Sequence, residues 1–150
     1  MLFRSDAVMK NASTTVYGNI VALDESPLKQ GVLFAGTDDG LVQVSNDDGK
    51  NWRKIENIPG VPAQTRVNML TASRFNDQVV YAVFNNQRNG DFKPYLFKSS
   101  DRGLTWTSIS SDLPERGTVY CIKQDFKNPN LLFAGTEFGA YFTKIGRAHV

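Results

Sequence analysis

Five residues, Leu33-Phe34-Ala35-Gly36-Thr37, return unchanged as Leu132-Phe133-Ala134-Gly135-Thr136, 99 positions further along a chain of 150. Between the copies, Val80-Tyr81-Ala82-Val83-Phe84 takes the same place, 47 positions after the first and 52 before the last. A second marker keeps step. Ser45-Asn46-Asp47-Asp48-Gly49-Lys50-Asn51-Trp52 matches Ser99-Ser100-Asp101-Arg102-Gly103-Leu104-Thr105-Trp106 at an offset of 54, the surplus residues forming an insertion within Asn85 to Lys93. Two markers with one period define a tandem unit of about 50 residues, and a chain of such units must bury each against the next.

Within the unit the signals are those of strands. Short runs of Val, Ile, Leu, Phe and Tyr are bounded by Gly, Asp, Asn and Pro, and no segment holds a helical period for long. Four strands are predicted in the first unit: Ile20 to Leu23, Val32 to Thr37, Leu41 to Ser45 and Trp52 to Ile55. The second repeats them as Val67 to Ala72, Val79 to Phe84, Tyr95 to Ser99 and Trp106 to Ile109. The third opens with Val119 to Lys123, Leu131 to Thr136 and Ala140 to Thr143. Turn residues fall between them, as in Asp38-Asp39-Gly40 and Asn128-Pro129-Asn130, and Pro59 and Pro114 lie in the links between units. The chain therefore reads as all-β, a partial β-propeller of about two and a half four-stranded antiparallel blades. Blades are expected over 15–59, 60–114 and, truncated, 115–143, with 1–14 the remnant of a preceding blade or a linker.

Composition narrows the chemistry. Seventeen basic and 15 acidic residues give a net charge of +2, too balanced to nominate nucleic acid as a partner. The lone Cys121 excludes a disulfide framework and a cysteine zinc site, and is expected to serve as a small apolar residue in a strand. The single His149 leaves no partner for a histidine-based triad. No apolar run approaches the ~20 residues of a membrane span, and the first residues lack the pattern of a signal peptide. No metal and no cofactor is implied.

The pattern S-x-D-x-G-x-T-W resembles the Asp-box of the bacterial neuraminidase repeat, and both copies fit it, with Asn51 in place of threonine in the first. Its residues have structural reasons. Ser45, Asp47, Ser99 and Asp101 are expected to bond backbone groups of a tight turn, supported by Asn51 and Thr105. Gly49 and Gly103 supply a positive φ, and Trp52 and Trp106 are expected to pack inward in equivalent surroundings. The phrases Gly36-Thr37-Asp38-Asp39-Gly40, Pro94-Tyr95-Leu96-Phe97 and Gly135-Thr136-Glu137-Phe138-Gly139 are similar to the sortilin-like propeller proteins of bacteria, many labelled glycosyl hydrolases. The resemblance covers about Thr15 to Thr143. It implies a long, exported, multi-bladed parent, extracellular or periplasmic, of which this chain is a fragment whose nearest partners are the remaining blades. It implies binding of a protein, peptide or polysaccharide; the alternative is a glycoside hydrolase of xyloglucanase or sialidase kind. The fragment by itself is expected to be inactive.

At the C-terminus the register calls for a third box with an aspartate at position 145, where Ile145 stands. The string Ile145-Gly146-Arg147-Ala148-His149-Val150 resembles one reading frame of a sequencing-adapter oligonucleotide. Residues 144–150 are expected to be adapter read-through and are set aside from fold reasoning.

Antiparallel order within a blade places both boxes at one end of the sheets, and the links between second and third strands and between blades at the other. Propellers bind ligands at that second end, which nominates Asp38 and Asp39, then Asn85, Arg88 and Asp91 of the inserted loop, and Glu137. Asp and Asn also have local reasons to occupy turns. The insertion, which the repeat does not demand, is the best single candidate. Paired carboxylates among these residues would suit glycoside hydrolysis; no catalytic residue is assigned.

Overall fold

The computed structural model describes residues 18–110 and 112–144. The expectations placed on 1–14 and on the tail from 145 onward lie outside the described residues; the backbone of Lys144 pairs with Leu131 in a strand.

The described chain forms three antiparallel meanders. The first joins β1 (Ile20–Glu25), β2 (Leu33–Thr37), β3 (Val42–Ser45) and β4 (Arg53–Ile55) in sequence order. The second joins β5 (Arg66–Ala72), β6 (Val80–Asn85), β7 (Tyr95–Ser99) and β8 (Thr107–Ser108). The third has β9 (Val119–Gln124), β10 (Leu131–Thr136) and β11 (Gly139–Lys144). The expected all-β architecture is what forms, with one short 3-10 turn over Gln87–Asn89 inside the insertion.

Register shows how closely the sheets repeat. Leu23 faces Ala35, Leu70 faces Ala82 and Ile122 faces Ala134, so a large aliphatic opposes the same alanine each time. All three first strands also carry a register shift near their start, bending the inner edge at one point in each blade.

Strand alternation then decides which side chains meet the neighbouring sheet. On β2, Phe34 points toward the second sheet and is fully buried among Val67, Leu70 and Phe97 of one core cluster. Tyr81, at the same repeat position on β6, is 1% exposed in a second cluster with Ile122 and Leu132 of the third sheet. Burying a phenylalanine this fully stabilises by roughly 2–3 kcal/mol. Gly36 lets the sheets approach: a Cβ there would lie 2.4 Å from Cγ1 of Val67.

Two expectations need correction. Trp52 does not pack inward; it is 41% exposed, whereas Trp106 is 9% exposed. Trp106 belongs to the cluster that includes Val44, with Ile55 packed against it, both from the preceding sheet; among the described residues no sheet precedes Trp52. Cys121 is in a strand as expected, but it is exposed, because it lies on the face of the third sheet against which no described sheet packs.

Candidate functional site

The two ends of the sheets are built differently. At one end the Ser-Asp-Gly-Trp turns hold themselves together. Oγ of Ser45 accepts from the amide of Gly49 at 2.9 Å and donates to Asp47 at 2.9 Å, and Ser99 does the same with Gly103 at 2.7 Å and Asp101 at 2.7 Å. Asp47 accepts from the Asn51 amide and side chain, as Asp101 does from those of Thr105, so asparagine fills the threonine role. Each indole N–H donates to the carbonyl of its glycine, at 2.9 Å for Trp52 and 3.2 Å for Trp106.

These bonds set the carboxyl groups. The hydrogen bond from the Asn51 side chain, then that from its amide, hold Asp47 below the usual carboxylate range. At Asp101 burial pushes upward but is outweighed by the Thr105 side-chain and backbone bonds and by Ser99, leaving it at about 2. Such groups serve the turn, since every oxygen is already bonded within it.

Sequence reasoning passed over Arg102, which occupies a variable position of the motif. It adopts φ 54°, its ion pair with Asp77 crosses to the adjacent turn, and it donates to Asn46 of the preceding Ser-Asp turn at 3.2 Å. Its carbonyl accepts in turn from Arg53 of β4. One side chain thereby ties two blades at their outer rim.

At the opposite end the nominated residues separate into two kinds. Asp38 is 6% exposed, and its carboxylate accepts from the amide and side chain of Asn19 at 2.9 and 3.1 Å. Glu137, at the same repeat position in the third sheet, accepts from the amide of Thr118 at 3.3 Å. Both therefore latch the incoming link to the turn after the second strand. Asp39 accepts from the Thr37 hydroxyl, and Asn85 accepts from the amide of Gln87 at 3.0 Å. Arg88 is exposed in the 3-10 turn.

The inserted loop is a folded unit. Asn86, 5% exposed, accepts the Asn89 amide at 2.9 Å through its carbonyl and the Asn89 side chain at 2.7 Å through its own oxygen. Asp91 accepts from Asn86 at 2.9 Å, from the Tyr95 hydroxyl at 2.5 Å and from the Lys93 amide at 3.2 Å. Burial raises Asp91, but these bonds prevail and hold it low; burial and the same carboxylate push Tyr95 up to about 12.

This loop forms one wall of an open cleft of about 770 Å³. Phe92, Tyr95 and Phe97 give it an aromatic floor, and Glu115 and Arg116 come from the link to the third sheet. Arg116 lies over the Phe92 ring at 5.6 Å, and the link is pinned by the Gly117 amide donating to the Phe92 carbonyl at 3.1 Å. Of the nominated residues only Asp91 lines the cleft; Asp38, Asp39, Asn85, Arg88 and Glu137 do not. The cleft joins an insertion to a linker more than 20 positions away, so no local motif marks it. Among the described residues no cluster of His, Cys, Asp and Glu could hold a metal ion, and no helix is long and apolar enough to cross a membrane.

Three consecutive, register-matched antiparallel sheets packed face to face define the blades of a β-propeller. Comparison with solved structures agrees on the fold. YCF48 bound to D1 peptide aligns with TM-score 0.64 and 19% identity over 89% of this chain and 40% of that one. YCF48 from Cyanidioschyzon merolae gives TM-score 0.67 and 19% identity, over 89% and 39%. The GH74 xyloglucanase from Xanthomonas campestris gives TM-score 0.63 and 14% identity, over 86% and 22%. In sequence, the chain is 26% identical over 85 residues to vacuolar protein sorting/targeting protein 10 of Laccaria bicolor, spanning 57% of this chain and 5% of that protein. No family model matches.

Proposed function

We propose that this chain belongs to an Asp-box propeller of sortilin-like kind that acts as a binding scaffold, exported in its parent, with the cleft beside the Asn85 to Asp91 insertion as its recognition site. The carrying observation is the cleft itself: an aromatic floor, the cation of Arg116 at its rim, and walls locked by hydrogen bonds. Such a site favours an extended segment with apolar groups and carbonyls over a small charged metabolite. The sorting/targeting relative and a structural neighbour solved with a peptide support a peptide or protein ligand.

A glycoside hydrolase is the second reading, favoured by the presence of two carboxylates, Asp91 and Glu115, on one cleft and by the fold shared with a xyloglucanase. The bonds from Tyr95 and Asn86 lower Asp91 and favour its charged form, which suits it less to proton donation than Glu115 on the same cleft. Titration calorimetry with mixed-sequence peptides and xyloglucan oligosaccharides separates the two. Binding of a peptide weakened about tenfold by Phe92→Ala or Arg116→Ala, a change of about 1.4 kcal/mol, is expected. Sugar release that disappears in Glu115→Gln would overturn the scaffold reading.

A further inference from the structure

Every wall of the cleft belongs to the second sheet or to the links on either side of it. Gly60 comes from the link before, Asp91 to Phe97 from the insertion and β7, and Glu115 and Arg116 from the link after. The charges it carries are not equivalent. Lys93 lies near enough to Asp91 to offset its charge, and the Asp91 carboxylate is already bonded to Asn86, Tyr95 and the Lys93 amide. That leaves Glu115 and Arg116, both exposed. Among the described residues the ion pairs are Lys54 with Glu56 and Arg102 with Asp77, and neither Glu115 nor Arg116 makes a side-chain hydrogen bond.

Preorganisation separates the two. The Arg116 guanidinium lies over the Phe92 ring at 5.6 Å. The backbone that carries this ring is itself held, because the Phe92 carbonyl accepts from the Gly117 amide at 3.1 Å and from the Thr118 hydroxyl at 3.3 Å. Stacking occupies the face of a guanidinium and none of its N–H donors, so the edge stays free to fork to a carboxylate. A group fixed beforehand also loses less freedom when a ligand arrives, an advantage that the unsupported Glu115 lacks. The aromatic floor of Phe92, Tyr95 and Phe97 beside it strengthens a charge-assisted bond and receives apolar groups.

Resting on the reading of this cleft as a peptide site, we propose that it selects extended segments in which an acidic side chain accompanies an apolar one. The ligand's carboxylate forks to Arg116, and the apolar group lies on the aromatic floor. Glu115, next to Arg116 on the same link, repels a second ligand carboxylate and so discriminates against polyacidic segments. Residues two apart in an extended segment share a face, which sets the spacing of the probe.

Pools of capped pentapeptides test it, with phenylalanine fixed at the second position, glutamate, glutamine or lysine fixed at the fourth, and the rest random. The pools are passed together over the immobilised chain and the retained peptides counted by mass spectrometry, with circular dichroism confirming that each variant is folded. On the wild-type chain the glutamate pool is expected about tenfold above the glutamine pool, and on Arg116→Ala level with it. Arg116→Lys, which keeps the charge without the planar fork, should lose most of that preference. Glu115→Gln should raise retention of the glutamate pool about twofold. Equal retention of the glutamate and glutamine pools by the wild-type chain, a preference for lysine, or a glutamate preference that survives Arg116→Ala would overturn the proposal while leaving the cleft as a peptide site. No pool retained above the level of Phe92→Ala would overturn both.

Discussion

Trp52 and Trp106 sit in the same turn, donate to the same glycine carbonyl and follow the same serine and aspartate, yet one is 41% exposed and the other 9%. The turn therefore builds itself from local bonds, and burial of its tryptophan is contributed by the sheet before it. Removing the ring should show this most strongly. Trp106→Ala is expected to destabilise by about 3–5 kcal/mol, as for other buried aromatics, and Trp52→Ala by about 1 kcal/mol or less. Urea melts read the difference; equal losses would break the comparison.

The acid limb of stability sharpens it next. Asp101 is lowered in the folded state to about 2 from 3.8, and Asp47 is lowered as well. A depressed carboxyl stabilises above its unfolded pKa, and that contribution is lost as pH falls through the folded one. Stability should thus drop between about pH 4 and pH 2, and Asp101→Asn should flatten that drop while lowering stability at pH 7. A melting temperature falling just as steeply in the variant would show that the turn carboxylate is not the cause.

The tandem unit, its strands and the bonding of the Ser45 and Ser99 turns were legible in sequence, because each rests on contacts within a few residues. What escaped depends on neighbours. Exposure of Trp52 and Cys121 follows from which sheets flank them, and the cleft follows from the link at Arg116 folding onto Phe92. Of the nominated carboxylates, Asp38 and Glu137 hold backbone across one repeated position. Residue type announces a turn well and a ligand poorly, since the same carboxylate serves both.

The smallest effects concern the left-handed residue inside each turn. Asp48 and Arg102 share it, at φ 59° and 54°, but only Arg102 reaches the neighbouring turn. Asp48→Gly should relieve strain and stabilise by about 0.5 kcal/mol, whereas Arg102→Gly should cost about 1 kcal/mol through its lost bonds to Asp77 and Asn46. Opposite signs in paired thermal melts are the expected result.

The central claim is that one blade repeats and that each blade is covered by its neighbour. With only two tryptophans in the chain, iodide quenching of Trp52→Phe and Trp106→Phe addresses it directly under dilute conditions. The chain retaining Trp106 should emit at shorter wavelength and resist quenching, and the chain retaining Trp52 should be quenched readily. Equal quenching of the two indoles would contradict the packing of successive blades described above.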